Sequence, residues 1–257
     1  MTDFDRDTAA EPLGGGRYRV RFDRRWWIVR GPNGGIVAAK LVRAMETELG
    51  APERQLRSLT VHYPAAPPEG EAEVEVTVER SGRSMSTVSA RLTTGDRLLA
   101  LALGAFSTAY DGAAVAYDDG AMPAVQPPDP MPEPRDDAPM PFARQWRMAP
   151  ALGEHGKAST GGWMAPREPR PVDAALVVAL ADAWVPAPFV MTDGQPFAAP
   201  TIDLTVHIRA ALPRPPEPVL GEFRSRLARD GFFEEDGRLW APDGTLIAHS
   251  RQLALAL

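Results

Sequence analysis

The sequence predicts an α+β protein made by tandem duplication, and three observations carry that prediction. Two helices are legible, one over residues 36–49 from apolar residues spaced along one face and one over 171–185 from a run apolar on all sides. Each helix is followed by strands whose apolar residues alternate. The two runs also share matching segments on either side of a Pro/Asp-rich stretch: Leu59-Thr60-Val61-His62 recurs as Leu204-Thr205-Val206-His207, and Gly95-Asp96-Arg97-Leu98-Leu99-Ala100 resembles Asp243-Gly244-Thr245-Leu246-Ile247-Ala248.

Taken in order, residues 1–12 read as a frayed, acidic lead-in. Gly14-Gly15-Gly16 lacks the spacing of a phosphate loop and reads as a flexible connection. Tyr18, Val20 and Phe22 alternate with Arg17, Arg19 and Arg21, which is a half-buried strand. A tight turn follows at Gly31-Pro32-Asn33-Gly34-Gly35. Ile36, Ala38, Leu41, Val42, Met45 and Leu49 then share one helical face, which Gly50 and Pro52 end. Residues 71–80, 84–92 and 98–106 are three strands, the last apolar enough to be buried on nearly both faces. From 111 to 141 the chain is rich in Pro and Asp with no period, as a linker is. The domains are therefore expected at 13–110 and 142–257, joined by 111–141.

After the linker, residues 145–148 and 162–164 are strand candidates, and the second helix is expected over 171–185, with proline where its missing N–H does no harm. Strands follow at 201–209, 219–228, 232–240 and 246–255. The turn Ala241-Pro242-Asp243-Gly244-Thr245 has hairpin chemistry.

Composition sets limits on function. The 257 residues carry a formal charge of −6 and no Lys/Arg cluster, which argues against a nucleic-acid partner. With no cysteine, disulfides, thiolate metal sites and a Cys nucleophile are excluded. No apolar run reaches the roughly 18 residues of a membrane helix, and the N-terminus does not read as a signal peptide, so a cytoplasmic protein is expected. No HxxxH or HExxH spacing suggests a metal, and no GxSxG suggests a serine hydrolase. No cofactor is expected.

Asp182 stands out. It is the single polar residue between Ala174 and Val185, and a carboxylate buried in an apolar helix costs several kcal/mol unless it is hydrogen-bonded or used. A capping or paired aspartate near the helix end and a catalytic acid are both open on this evidence.

The segments Pro32-Asn33-Gly34-Gly35-Ile36-Val37-Ala38-Ala39, Leu180-Ala181-Asp182-Ala183-Trp184, Thr201-Ile202-Asp203 and Ser250-Arg251-Gln252 resemble, in order, the type II (TesB-like) acyl-CoA thioesterase family. The resemblance runs from about Arg17 to the C-terminus. It implies a double hotdog, in which each copy curves an antiparallel sheet around one helix. It also implies a catalytic set of Asp182, Thr201 and Gln252 holding one water against a thioester carbonyl, with acyl-CoA as substrate. The first-half helix positions that match Asp182, residues 39–43, contain no carboxylate, so one such site per chain is expected.

Such chemistry needs a base, a water holder and a stabiliser for the oxyanion. Asp182 supplies the base, Thr201 and Gln252 supply neutral donor and acceptor groups, and a helix N-terminus supplies free N–H groups. Gly34 and Gly35 would let a carbonyl approach that terminus, or they are simply a tight turn into the helix. Asp203 either supports Thr201 or is a surface charge. Arg209, Arg224, Arg226 and Arg251 are available to CoA phosphates, and Trp163, Trp184, Phe189 and Phe197 to a pocket wall. Two rival functions remain. A non-catalytic acyl-CoA or acyl-chain binder would show Asp182 salt-bridged and closed off. A hydratase or dehydratase would place His62 or His207 beside Asp182. A homodimer of such chains is compatible with the pattern.

Overall fold

The computed structural model describes residues 1–110, 112–118, 120–192, 195 and 197–257. Asp111 and Asp119 of the expected linker lie outside the described residues. The first half supplies α1 (Asp3–Thr8), β1 (Glu11–Gly14), β2 (Arg17–Phe22), α2 (Gly34–Leu49), β3 (Gln55–His62), β4 (Gly70–Ser81), β5 (Met85–Thr94) and β6 (Arg97–Ser107). The second supplies β7 (Trp146–Gly153), β8 (Ser159–Pro166), α3 (Ala174–Leu180), β9 (Thr201–Ile208), β10 (Val219–Arg224), β11 (Ala228–Arg229), β12 (Phe232–Trp240) and β13 (Leu246–Leu255).

These strands form one antiparallel sheet in the order β1-β2-β4-β5-β6-β3-β9-β13-β12-β10-β8-β7, with β11 on β12. The second half repeats the first in mirror order around the β3–β9 seam. Each half curves around its helix, and this is the double hotdog. The repeated tetrapeptides lie at the seam: Leu59 pairs with Val206, Thr60 with Thr205 and Val61 with Leu204. The Thr60 and Thr205 hydroxyl oxygens are 3.0 Å apart, which puts the pseudo-twofold axis between two identical side chains.

The inner face of the sheet is apolar because the strands alternate. Tyr18, Val20 and Phe22 on β2, Val74 and Val76 on β4, and Leu204, Val206 and Ile208 on β9 are all buried. Both helices pack on that face in one continuous core. They run antiparallel: Gly35 at the start of α2 meets Ala179 at the end of α3, and Arg43 further along α2 binds Asp173, the N-cap of α3, at 2.7 Å.

Four expectations need correction. The N-terminus is ordered: Thr2 and Asp5 form a capping box, Phe4 packs edge-on against Trp26 and Trp146, and Arg170 binds Asp5. The second helix is shorter than 171–185. It ends at Leu180 and passes into a tight turn in which the N–H of Asp182 donates to the carbonyl of Ala179. At the end of this turn Asn33 takes up the carbonyl oxygen of Asp182, at 2.7 Å. Strand β6 is not buried on both faces, since Leu103 is 52 % exposed on the outer side. Finally, Trp163 lies on the outer face with Leu220 and Trp240, under Met122, Val125 and Met131. Part of the Pro/Asp-rich stretch therefore covers the sheet and fills a second, smaller apolar cluster.

Candidate active site

Asp182 is held by the opposite half of the molecule. Asn33 caps α2, accepting from the N–H of Ile36 through its Oδ1, and its Nδ2 donates to Asp182 Oδ2 at 2.9 Å. The Gly35 N–H donates to the same oxygen at 2.9 Å. The carboxylate thus sits at the positive end of a sixteen-residue helix. Burial pushes its pKa up to about 6, against the opposing pull of the Gly35, Asn33 and Gly34 hydrogen bonds. Asp182 as a whole residue is half-buried. Among the described residues it forms no salt bridge.

Packing requires the glycine at 35 and crowds the one at 34. A Cβ on Gly35 would stand 2.7 Å from the Ala179 carbonyl oxygen, so the helices could not approach as they do. A Cβ on Gly34 would stand 3.0 Å from Asp182 Oδ2 and 3.4 Å from the Tyr63 ring. The Gly35 N–H, expected to face a substrate carbonyl, is bonded to Asp182 instead.

Thr201 and Gln252 meet directly. Thr201 opens β9, Gln252 faces inward from β13, and the Thr201 hydroxyl donates to Gln252 Oε1 at 3.0 Å. A third residue, absent from the sequence-based set, continues this chain: Gln252 Nε2 donates to Glu235 Oε1 at 2.9 Å. The Ala187 N–H donates to Glu235 Oε2 at 2.5 Å. Glu235 is only 4 % exposed. Burial pushes its pKa up to about 7, opposed by the bonds from Ala187 and Gln252 and reinforced by the charge of Asp182. That field links the two clusters. Asp182, Thr201, Gln252 and Glu235 all come from the second half; Asn33, Gly34, Gly35 and Tyr63 come from the first.

Tyr63 is the other residue that sequence reasoning missed. It follows β3, its N–H donates to the Ile202 carbonyl across the seam, and its hydroxyl donates to the Gly34 carbonyl at 3.0 Å. Burial, together with Asp182 and Asp203, holds its pKa well above the usual phenol value. Asp203 thus lies close enough to act on Tyr63, though it bonds neither Thr201 nor Gln252. The signal for Glu235 was its inward register between Phe233, Gly237 and Leu239. For Tyr63 there was no comparable pattern.

His62 and His207 are exposed, and neither hydrogen-bonds to Asp182. Arg226 and Arg251 are both bound to Asp236. The Trp184 indole donates to Thr160 at 3.0 Å, while Phe189, Phe197 and Phe233 stack edge to face in series. Phe233 and Glu235 share the inner face of β12.

The sequence profile of the acyl-CoA thioesterase C-terminal domain matches residues 119–256, and that of the acyl-CoA thioesterase N-terminal domain matches residues 23–108. The chain belongs to the acyl-CoA thioesterase family. Within it the resemblance is to TesB-like type II thioesterases. A conserved hotdog-fold protein of unknown function from Alicyclobacillus acidocaldarius is 27 % identical, with a TM-score of 0.89 over 100 % of this chain and 98 % of that one. A putative thioesterase II from Thermobifida fusca is also 27 % identical, with a TM-score of 0.85 over 100 % and 98 %. The acyl-CoA thioesterase II TesB2 of Mycobacterium marinum, 22 % identical, shares the fold with a TM-score of 0.79 over 99 % and 98 %. No curated protein matches the chain. Asp182, Thr201 and Gln252 all lie in the second half. The cap that holds its aspartate comes from the other half.

Proposed function

We propose that this family member hydrolyses acyl-CoA thioesters to a free acid and CoA, with Asp182 as the general base. The observation that carries this reading is the state of Asp182. It is a carboxylate fixed through Oδ2 by Gly35 and Asn33, with burial raising its pKa to about 6. A base in that range is ionised at neutral pH and can take a proton during the reaction.

The attacking water lies between Asp182 and the Thr201–Gln252 pair. Its oxygen adds to the thioester carbonyl carbon as one of its protons passes to Asp182. The Gly34–Gly35 turn and the positive end of α2 favour negative charge beside Asp182. In the resting site that charge is the carboxylate. Once Asp182 is protonated and neutral, the positive end of α2 no longer faces a carboxylate and favours the oxyanion forming beside it. Collapse of the tetrahedral intermediate breaks the C–S bond, and Asp182 returns its proton to the departing thiolate. Atoms and charge balance without metal or covalent enzyme intermediate.

Purified protein is tested with a panel of acyl-CoAs from short to long, following free thiol. With no cysteine in the chain, a thiol reagent reads the product alone. Saturable thiol release supports a hydrolase. Binding of acyl-CoA without release would instead identify an acyl-CoA receptor.

A further inference from the structure

We infer that Glu235, in its ionised form, is a positioning residue that fixes the direction of the hydrogen-bond chain Thr201→Gln252→Glu235, so that the Thr201 hydroxyl then can only accept from the attacking water. The role in catalysis rests on the hydrolase reading above; the direction of the chain does not.

The argument starts from the symmetry of a glutamine side chain. Its carboxamide fits a site equally well in two orientations, and only its partners choose between them. Here one partner is Glu235, whose Oε2 is already committed to the backbone N–H of Ala187. That N–H cannot reverse. An ionised Glu235 therefore presents Oε1 as an acceptor, and Gln252 must turn Nε2 towards it. Its Oε1 then faces Thr201, which must donate. With its proton committed, Thr201 has lone pairs to offer to a water hydrogen. A water held by Thr201 and Asp182 has both protons directed at acceptors and a lone pair left for the thioester carbon.

A neutral Glu235 removes the selection, because its own O–H can donate to Gln252 Oε1 and let the amide turn over. The charges acting on Glu235 are Asp182, from the turn after α3, and Glu234 on its own strand. From β13 it meets the neutral Gln252, and from the 3-10 turn at Ala187–Met191 a backbone N–H. The flanking β10 buries Phe223 and exposes Arg224.

Glu235→Gln is the informative variant because it keeps the shape. Its carbonyl oxygen stays on the Ala187 N–H, its NH2 group faces Gln252, and the amide of Gln252 is turned over. Expected are a kcat lowered ~10- to 100-fold, KM within about twofold of wild type and an unchanged fold. The acid limb of the kcat profile, set in wild type by Glu235 and Asp182 together, falls to a single ionisation.

The second readout needs no activity. The Gln252 side-chain NH2 resonances are followed by nitrogen–proton NMR from pH 5 to 9. They are expected to titrate with a midpoint near 7 in wild type. In Asp182→Asn they should still titrate, at lower pH, and in Glu235→Gln not at all. A flat Gln252 signal in Asp182→Asn, or wild-type kcat in Glu235→Gln, would overturn the inference. An inactive wild type whose Gln252 signal titrates would sink the hydrolase reading and leave the directed chain standing.

Discussion

The Gly35 N–H and the Asp182 carboxylate, 2.9 Å apart, join the start of one half's helix to the end of the other's. The site is thus composite: the first copy supplies Asn33 and Gly35, the second Asp182. Beside this contact Gly35 lies close against Ala179 and Asn33 caps the same helix end.

Removing the cap should loosen the carboxylate. Asn33→Ala loses the α2 N-cap and the bonds from Nδ2 to Asp182. A cost of about 1–2 kcal/mol is expected from the cap alone. Because Asn33 stabilises the charged form of Asp182, its loss should also move the Asp182 ionisation, read as the single acid limb in a Glu235→Gln background, above pH 6. Thermal melts and a pH–rate profile read the two effects separately. An unmoved limb would mean that Asn33 does not act on the base.

The adjacent glycines should separate stability from activity. In Gly35→Ala the new methyl meets backbone at Ala179, which cannot yield cheaply, so a loss of about 1–3 kcal/mol is expected. In Gly34→Ala the methyl meets the Asp182 carboxylate and the Tyr63 ring, so activity should fall while the melting temperature shifts less. Equal melting temperatures for the two variants would contradict this packing.

How much of this was legible in the sequence depended on the kind of signal. Helix α2 could be read because its apolar residues keep one face and Gly50 closes it in the left-handed conformation, at φ 58°. Asp182 was visible as the one charge in an apolar run, and Thr201 and Gln252 only through their order in the family resemblance. Segment α1 was missed because six residues with one large apolar anchor, Phe4, carry no period. Glu235 was hidden among Glu234 and Asp236: on an acidic strand, only the register decides which carboxylate turns inward. The LTVH repeat was visible in the sequence, but its self-pairing was not, since a match says nothing about which strands become neighbours.

That seam gives its own test. Thr60→Val and Thr205→Val each strand one hydroxyl of a half-buried pair, whereas the double variant strands neither. Each single change is expected to cost about 1 kcal/mol and the double less than their sum, with a coupling of at least ~0.5 kcal/mol. Additive losses in denaturant melts would show that the two hydroxyls do not interact.

The N-terminal segment should matter to stability. Phe4 is 3 % exposed against Trp26 and Trp146, and Arg170 lies over its ring. Phe4→Ala is expected to cost about 3 kcal/mol or more. A change below about 0.5 kcal/mol would mean that α1 is dispensable to the fold.

The central claim is that Asp182 is a base, and Asp182→Asn tests it with little structural damage. Both retained donors, Gly35 N–H and Asn33 Nδ2, converge on one oxygen, which an asparagine carbonyl can replace. The folded-state pKa of Asp182 lies above its ordinary 3.8, at about 6. The wild-type contribution of this group is therefore fully present below pH 4 and lost as pH rises through 6, by up to roughly 3 kcal/mol. Asparagine does not ionise, so the variant should equal or exceed wild-type stability at pH 8. The decisive measurement is thiol release from the best acyl-CoA substrate by wild type and Asp182→Asn at that pH. A kcat at least 100-fold lower in a variant no less stable is the result this account predicts. A variant that keeps wild-type turnover would contradict it.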